Sequence, residues 1–382
     1  MSKNNGPLVS ICVTFSSAEE FIHRVFDSCL NQTYRNIEVV VVDNASTDGS
    51  ERVVRKYAAQ DPRIKYFRRA QMAGLSSRLL EMFQQAGGEF VMMIGADDWL
   101  ARDYIKNGVQ SFLDHPGVAG IVPRLINLSE IGGNQFKFLS ETFGDFSPPR
   151  AYSAKWFVKR MYRSEHLYIS ALALMRKEDA VKAMDYFVGH YCNKPLVGVP
   201  SELKGFWENG FGVDAILFLE VLTRYHNFVF DSSLRYLKVA HGKNLRFDLG
   251  SDSLAEIFKN AYYYLLTFKG MYAPLWNDFY REMKIFWGAE TIVSAGIYLF
   301  RFGMRSRDVG GYRTTTFRRA FFGELSLFET VAAGGRAMIR LSPRGTRFII
   351  RKLLGTRGQK NTERIAFKPE NFLDQEGRFK VS

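Results

Sequence analysis

The chain has 382 residues, 46% hydrophobic and 24% charged, an ordinary balance for a globular protein and too long for one average domain. Its net charge of +13 is uneven: residues 301–382 hold 18 Lys/Arg against 7 Asp/Glu, so +11 sits in the tail and +2 in the rest. Three cysteines, Cys12, Cys29 and Cys192, exclude a disulfide framework and lack the CxxC spacing of zinc or dithiol chemistry.

Taken in chain order, LVSICVTF (8–15) predicts a strand buried on both faces. Ser17 and Glu20 have capping-box spacing ahead of a helix carrying Phe21, Ile22, Val25, Phe26, Cys29 and Leu30 on one face. IEVVVVD (37–43) is a second buried strand. STDGS opens a second helix, with Val53, Val54 and Tyr57 inward. IKYF (64–67) is a third strand. Leu75, Leu79, Met82, Phe83 and Ala86 mark a third helix stopped by Gly87-Gly88, and EFVMMI (89–94) is a fourth strand.

Four strand–helix alternations predict parallel strands with right-handed crossovers, which bind ligands beyond their carboxyl ends. Those ends are Thr14-Phe15-Ser16, Asp43-Asn44 and Gly95-Ala96-Asp97-Asp98. Carboxylates at two of them suit a metal–phosphate or nucleotide site. No GxGxxG follows the first strand and no GxxxxGK[ST] occurs, which argues against dinucleotide and P-loop sites.

The blocks PLVSICVTFSSAEEFIHRVFDSCLNQTYRNIEVVVVDNASTDGS, DPRIKYFRRAQMAGLSSRL and GGEFVMMIGADDWL resemble the glycosyltransferase family 2 domain with the GT-A fold. The likeness is dense over residues 7–105 and sparse to about 245. It implies inverting transfer from a nucleoside-diphosphate sugar, UDP-sugar favoured, with a divalent metal, Mg²⁺ or Mn²⁺. Thr14 and Phe15 fall on the Thr-Tyr that packs around the base, and Asp43 on the aspartate that accepts a hydrogen bond from it. Arg78 matches an arginine near the nucleotide. Asp97, preceded by Ala96, matches the last aspartate of the DxD motif, the metal ligand, with Asp98 or His241 as further candidates. Asp214, in VDAILFLEVL, matches the presumed catalytic base, and His241 a histidine near the diphosphate. Gly95, Ser16, Val213 and Asn44 depart from the family pattern; Gly95 replaces the first DxD aspartate.

Further strands are expected at 118–139, with a turn at Gly132-Gly133, and at 167–175, and a loop over 189–212. From about 252 the pattern turns helical, over 254–268 and 276–302. The expected fold is therefore α/β: a GT-A catalytic domain over 5–245, with a nucleotide-sugar half to about 105 and an acceptor half after it. A helical basic region, 246–382, follows. Its Arg residues interleaved with Phe suit either an anionic membrane surface or a packed appendage with a solvated basic face. Nucleic acid is not expected. MSKNNGPLVS has no signal-peptide core, and no uncharged apolar run reaches the roughly 18 residues of a spanning helix. The expected location is cytoplasmic, with peripheral attachment to the membrane as an option. The expected partners are the nucleotide-sugar donor and a saccharide or lipid-linked saccharide acceptor. The rival reading is a non-catalytic nucleotide-sugar-binding or scaffold protein of the same fold.

Overall fold

The computed structural model describes residues 6–132, 135–142, 149–153, 172–192, 213–240 and 312–341, with isolated positions between. Its sheet begins with β1 (Val9–Phe15), β2 (Ile37–Asp43), β3 (Ile64–Arg68) and β4 (Phe90–Ile94), all parallel, in the spatial order β3-β2-β1-β4. Every residue of β2 is buried, and so are all but Thr14 of β1. Only a sheet covered on both faces can hide both side-chain rows of a strand, which is why these segments read as continuous apolar runs. Each Val or Ile so removed from water contributes about 1.5–3 kcal/mol.

The intervening helices are α1 (Ile22–Leu30), α2 (Ser50–Gln60) and α3 (Leu75–Gln85), followed by α4 (Tyr104–Asp114). They bury the stripes expected of them: Ile22, Val25, Phe26 and Cys29 on α1, and Leu79, Met82 and Phe83 on α3. On α2 only Val54 of the three expected apolar residues is fully buried. The capping box expected at Ser17 and Glu20 does not form. Ser17 takes a left-handed φ of 61°, and α1 starts at Ile22 without a side-chain cap. Ser17 and Ala18 instead donate their N–H groups to Ser46 Oγ and Ser50 Oγ, at 2.9 and 2.8 Å. Local spacing is thus overridden by hydrogen bonds to the neighbouring loop.

Beyond β4 the sheet becomes mixed. The two-residue β5 (Trp99–Leu100) lies on the chain directly after Asp97-Asp98. The hairpin β6 (Gly120–Gly132) and β7 (Gln135–Thr142) occupies the segment expected to hold two strands. After β8 (Arg150–Ser153), the three-residue β9 (Leu174–Arg176) bridges β4 and β6, antiparallel to both. It is the end of the strand expected over 167–175; residues 167–171 lie outside the described ones. Helix α5 (Lys177–Phe187) runs on into a π-helical turn, Val188–Cys192. The loop expected from 189 therefore begins as helix, and its part from 193 to 212 lies outside the described residues. Helix α6 (Val213–Tyr225) leads into β10 (Asn227–Ala240), which pairs with β6 in parallel and with β5 and β8 antiparallel.

The β10–β6 register shifts between Asp231 and Arg235. Asp231 is buried there and accepts hydrogen bonds from Ser233 N–H at 2.9 Å, Ser233 Oγ at 2.6 Å and the Ser111 hydroxyl of α4. Such a bulge re-aims the side chains that follow it, and the next residues include Tyr236.

Residues 245–364 form a second compact unit. Its described elements are α7 (Tyr312–Gly323) and α8 (Leu327–Leu341). Of the helices expected over 254–268 and 276–302, only scattered positions are described, among them 258, 262 and 291–293, and these are helical. Among the described residues no helix is long and apolar enough to cross a membrane.

Candidate active site

The carboxyl ends of β1, β2 and β4 lie side by side, because Phe15 is in register with Asp43 and Val13 with Ile94. The loops beyond them are fastened to one another. Asn44 at the end of β2 donates its amide NH₂ to Ala73 O at 3.2 Å and accepts Ala73 N–H at 2.9 Å. An aspartate, acceptor only when ionised, makes just one of those bonds. The departure from the family pattern at this position thus has a structural reason: the amide holds the approach to α3. The loop after β2 also carries Ala45 in a left-handed φ of 56°, a conformation non-glycine residues keep only when their surroundings hold it.

Asp43 is fully buried. One carboxylate oxygen accepts Ser46 N–H at 2.9 Å, and the other accepts the Tyr66 hydroxyl at 2.7 Å, with Arg68 Nε 3.8 Å away. Burial, then this carboxylate, pushes the Tyr66 phenol far above its ordinary range, so it remains a donor. Phe15 is also buried, and Thr14 is half-buried.

Thr14 Oγ1 donates to Val42 O at 3.0 Å and accepts from Arg78 Nη1 at 3.3 Å, so α3 is fastened to the end of the first strand. Among the described residues no carboxylate pairs with Arg78, and its Nε is buried without a hydrogen-bond partner. Burial, then the charge of Arg69, pushes the guanidinium below its usual pKa. A desolvated cation lacking an anion is costly. An incoming phosphate would supply that anion, and arginine's fork matches its oxygens.

Gly95-Ala96-Asp97-Asp98 forms the turn after β4, closed by Asp98 N–H donating to Gly95 O at 3.2 Å. Ala96 and Asp97 are half-buried, whereas Asp98 is buried. The Asp98 oxygens accept the Tyr236 hydroxyl at 2.7 Å and Val239 N–H at 2.9 Å. The same Tyr236 oxygen accepts Gly95 N–H at 2.9 Å. Tyr236, fully buried on β10, therefore ties both ends of the turn. It reaches them because β10 pairs with β5, Tyr236 opposite Leu100 and Leu237 opposite Trp99. Burial, then the charge of Asp97, pushes Asp98 well above the carboxylate range.

Gly95 stands where the family carries its first DxD aspartate. A Cβ there would lie 2.6 Å from Asp98 Oδ2 and 3.0 Å from Asp97 Oδ1. Asp98 cannot yield easily, since both its oxygens are held. We therefore expect that Gly95→Asp, which writes the family motif back in, lowers donor turnover instead of raising it. Gly95→Ala should show the steric part alone. Donor hydrolysis at saturating metal checks both; higher turnover in Gly95→Asp would defeat the packing argument. Tyr236→Phe is expected to cost about 1–3 kcal/mol, the price of leaving buried Asp98 and Gly95 N–H short of a partner, measurable by urea denaturation.

Two expected site residues fall partly or wholly outside the described residues. Asp214 lies in the first turn of α6, with its side chain outside the described residues. His241 is outside them as well; it follows β10 two residues beyond Val239, whose N–H binds Asp98. Among the described residues no three His, Cys, Asp or Glu side chains gather to hold a metal. The carboxylates of Asp97 and Asp98 do converge on Gly95, and such hard oxygen ligands are those Mg²⁺ and Mn²⁺ take alongside phosphates and water. The residues present thus fit a divalent cation. Both Asp98 oxygens already accept hydrogen bonds, from Tyr236 and Val239.

Residues 10–179 match the family described as Glycosyl transferase family 2. Together with the sheet described above, this defines the class: residues 10–179 match a glycosyl transferase family 2 domain, and the sheet is that of the GT-A fold. Among curated relatives, glycosyltransferase GlyA of Streptococcus pneumoniae is 24% identical over 164 residues, 43% of this chain and 23% of its own length. An uncharacterized glycosyltransferase of Haemophilus influenzae is 27% identical over 154 residues, 36% of this chain and 62% of its own. The chain thus spans less than two thirds of either relative. Among solved structures, residues 1–349 of S. aureus TarS with UDP superpose with a TM-score of 0.51 at 15% identity, covering 91% of this chain and 92% of that one. The same TarS fragment with UDP-GlcNAc gives 0.53 at 15% identity, covering 92% and 93%. At that identity the likeness is one of fold.

Proposed function

We propose that this protein transfers a sugar from a nucleoside-diphosphate sugar to an acceptor hydroxyl with inversion. The observation that carries this reading is Arg78. It is a half-buried guanidinium with no carboxylate among the described residues, hydrogen-bonded to Thr14 at the edge where Asp97 also stands. A cation bonded to the end of β1 and a carboxylate beyond the adjacent β4 suit a diphosphate and a metal ion. A UDP-sugar is favoured, in keeping with the UDP and UDP-GlcNAc bound by TarS.

The roles follow from the chemistry. Asp97 would hold Mg²⁺ or Mn²⁺, which when bound neutralises charge on the departing diphosphate. Arg78 holds a phosphate and stabilises the same charge as it develops, with His241 assigned to that side too. Thr14, Phe15 and Ala96 line the donor side. Asp43 is assigned the nucleobase, from which its carboxylate would accept a hydrogen bond beside those of Ser46 and Tyr66. Asp214 takes the proton of the attacking hydroxyl, on the side opposite the leaving group as inversion requires. The catalytic domain is assigned to 5–245 and the basic helical region to 246–382. The acceptor is a saccharide or lipid-linked saccharide, as in polysaccharide or glycoconjugate synthesis, reached from a cytoplasmic, peripheral position on an anionic membrane.

Hydrolysis of a panel of UDP-, GDP- and dTDP-sugars, with Mn²⁺, Mg²⁺ or chelator, tests the reading. Metal-dependent release of one nucleotide diphosphate is the expected result. Donor binding without release, with acceptor extracts present, would instead mark a nucleotide-sugar-binding scaffold.

A further inference from the structure

Helix α8 is turned inside out for a helix in water. Among its described side chains, the buried stripe at four-residue spacing is Glu329, Ala333 and Ala337, one carboxylate and two methyl groups. Its exposed face carries Leu327 at 83%, Phe328 at 69% and Val331 at 67% exposure. At 3.6 residues per turn these three cover about 100° on the side opposite that stripe.

The orientation is fixed from beneath. Ser326 and Glu329 form a capping box: Glu329 N–H donates to Ser326 Oγ at 3.2 Å, and Ser326 N–H donates to Glu329 Oε2 at 2.8 Å. Lys284 Nζ lies 2.7 Å from the same carboxylate oxygen. Burial pushes that carboxyl up, but Lys284 and Ser326 hold it below the usual range. Ala337 packs with Ala289 and Val293. A Cβ at Gly288 would come within 2.7 Å of the Ala333 methyl, so the two backbones approach closely. Rolling α8 to hide Leu327 and Phe328 would break the ion pair, the cap and this contact together.

Among the described residues of α7 and α8, the exposed charged side chains are all basic. Arg318 and Arg319 on α7 and Arg336 on α8 are exposed. The two acids of 312–341 are Glu324, half-buried, and Glu329, buried. Residues 301–382 as a whole carry +11. A second copy of the chain would bring the same strongly basic segment against itself, whereas an anionic lipid surface complements it.

We infer that α8 inserts Leu327, Phe328 and Val331 among the acyl chains of an anionic bilayer, while basic residues of 301–382, Arg318 and Arg319 among them, hold headgroup phosphates. This deepens the membrane reading above and rests on it. Co-sedimentation of the full chain with phosphatidylglycerol–phosphatidylcholine vesicles, and with phosphatidylcholine alone, tests it. The variant L327S/F328S/V331S alters only exposed side chains. It should lose about tenfold or more of the partition to anionic vesicles, including at high salt, where apolar insertion dominates. Its donor hydrolysis in solution should be unchanged. Cys12, Cys29 and Cys192 are buried, so a polarity-sensitive dye on Phe328→Cys reports the helix face. Its emission should shift blue on anionic vesicles.

If the full chain binds no vesicles, the membrane reading and this inference fall together. Binding that survives the triple serine variant, with no dye shift, overturns only the inference. So does a wild-type dimer in the absence of vesicles that the triple variant converts to monomer, since the face would then be a contact between copies. Loss of donor hydrolysis in the wild type bears on the glycosyl-transfer reading alone.

Discussion

Replacing Asp214 by Asn is expected to lower kcat by about 10²–10⁴-fold, the usual contribution of a positioned general base. A sugar hydroxyl is a weak nucleophile until its proton is accepted in the transition state. The amide keeps the size of the side chain but cannot take that proton. Because the base meets the acceptor and not the diphosphate, donor affinity should change by no more than about twofold. Glu220 lies on the same helix and is pushed up by burial, with Arg224 3.7 Å away. Glu220→Gln is therefore the control, expected to leave turnover near that of the wild type. Steady-state rates with a saturating donor, beside calorimetric donor titrations, separate the two effects. Near-normal turnover in Asp214→Asn would sink the assignment.

Asp97→Asn should cost at least about 100-fold in metal-dependent donor affinity, the upper end of what even outer-shell partners of a metal contribute. The amide is a weaker ligand for a hard cation, and it removes the charge that balances it. Without metal, donor binding should be nearly the same in variant and wild type. Calorimetry of UDP with Mn²⁺ and with chelator measures both. Asp98→Asn provides the contrast. Asp98 holds the Tyr236 hydroxyl and Val239 N–H, so its loss should appear first as reduced stability. Unchanged donor affinity in Asp97→Asn with metal present would move the metal to another residue.

Much of the nucleotide-sugar half was legible in the sequence because its signals are local. Buried parallel strands must be apolar along their whole length, and so β1, β2 and β4 announced themselves. The helices between them followed from their stripes, and the doubly wound order places ligands at the strand ends. Thr14, Asp43 and Asp97 could thus be placed at one edge before any coordinates, and Arg78 beside them only through the family resemblance. The contact between Thr14 and Arg78 spans 64 residues of chain. It was foreseeable only because family resemblance assigned both to the nucleotide.

Other features depended on contacts between distant segments, which no periodicity encodes. The spacing of Ser17 and Glu20 predicted a cap, but Ser46 and Ser50 across the loop captured the backbone instead. Tyr236 carries no motif. It joins the Asp97-Asp98 turn because a bulge held by Asp231 and the pairing of β10 with β5 bring it there from 138 residues away. Gly95 read as a lost carboxylate, and only the packed positions of Asp97 and Asp98 explain why a side chain there has no room. The tail was basic and apolar in sequence, but which face of α8 points outward was decided by a buried ion pair and a close helix approach. Local patterning determined the elements and their order; the tertiary structure decided which side chains meet, because long-range hydrogen bonds and packing select among the orientations that patterning leaves open.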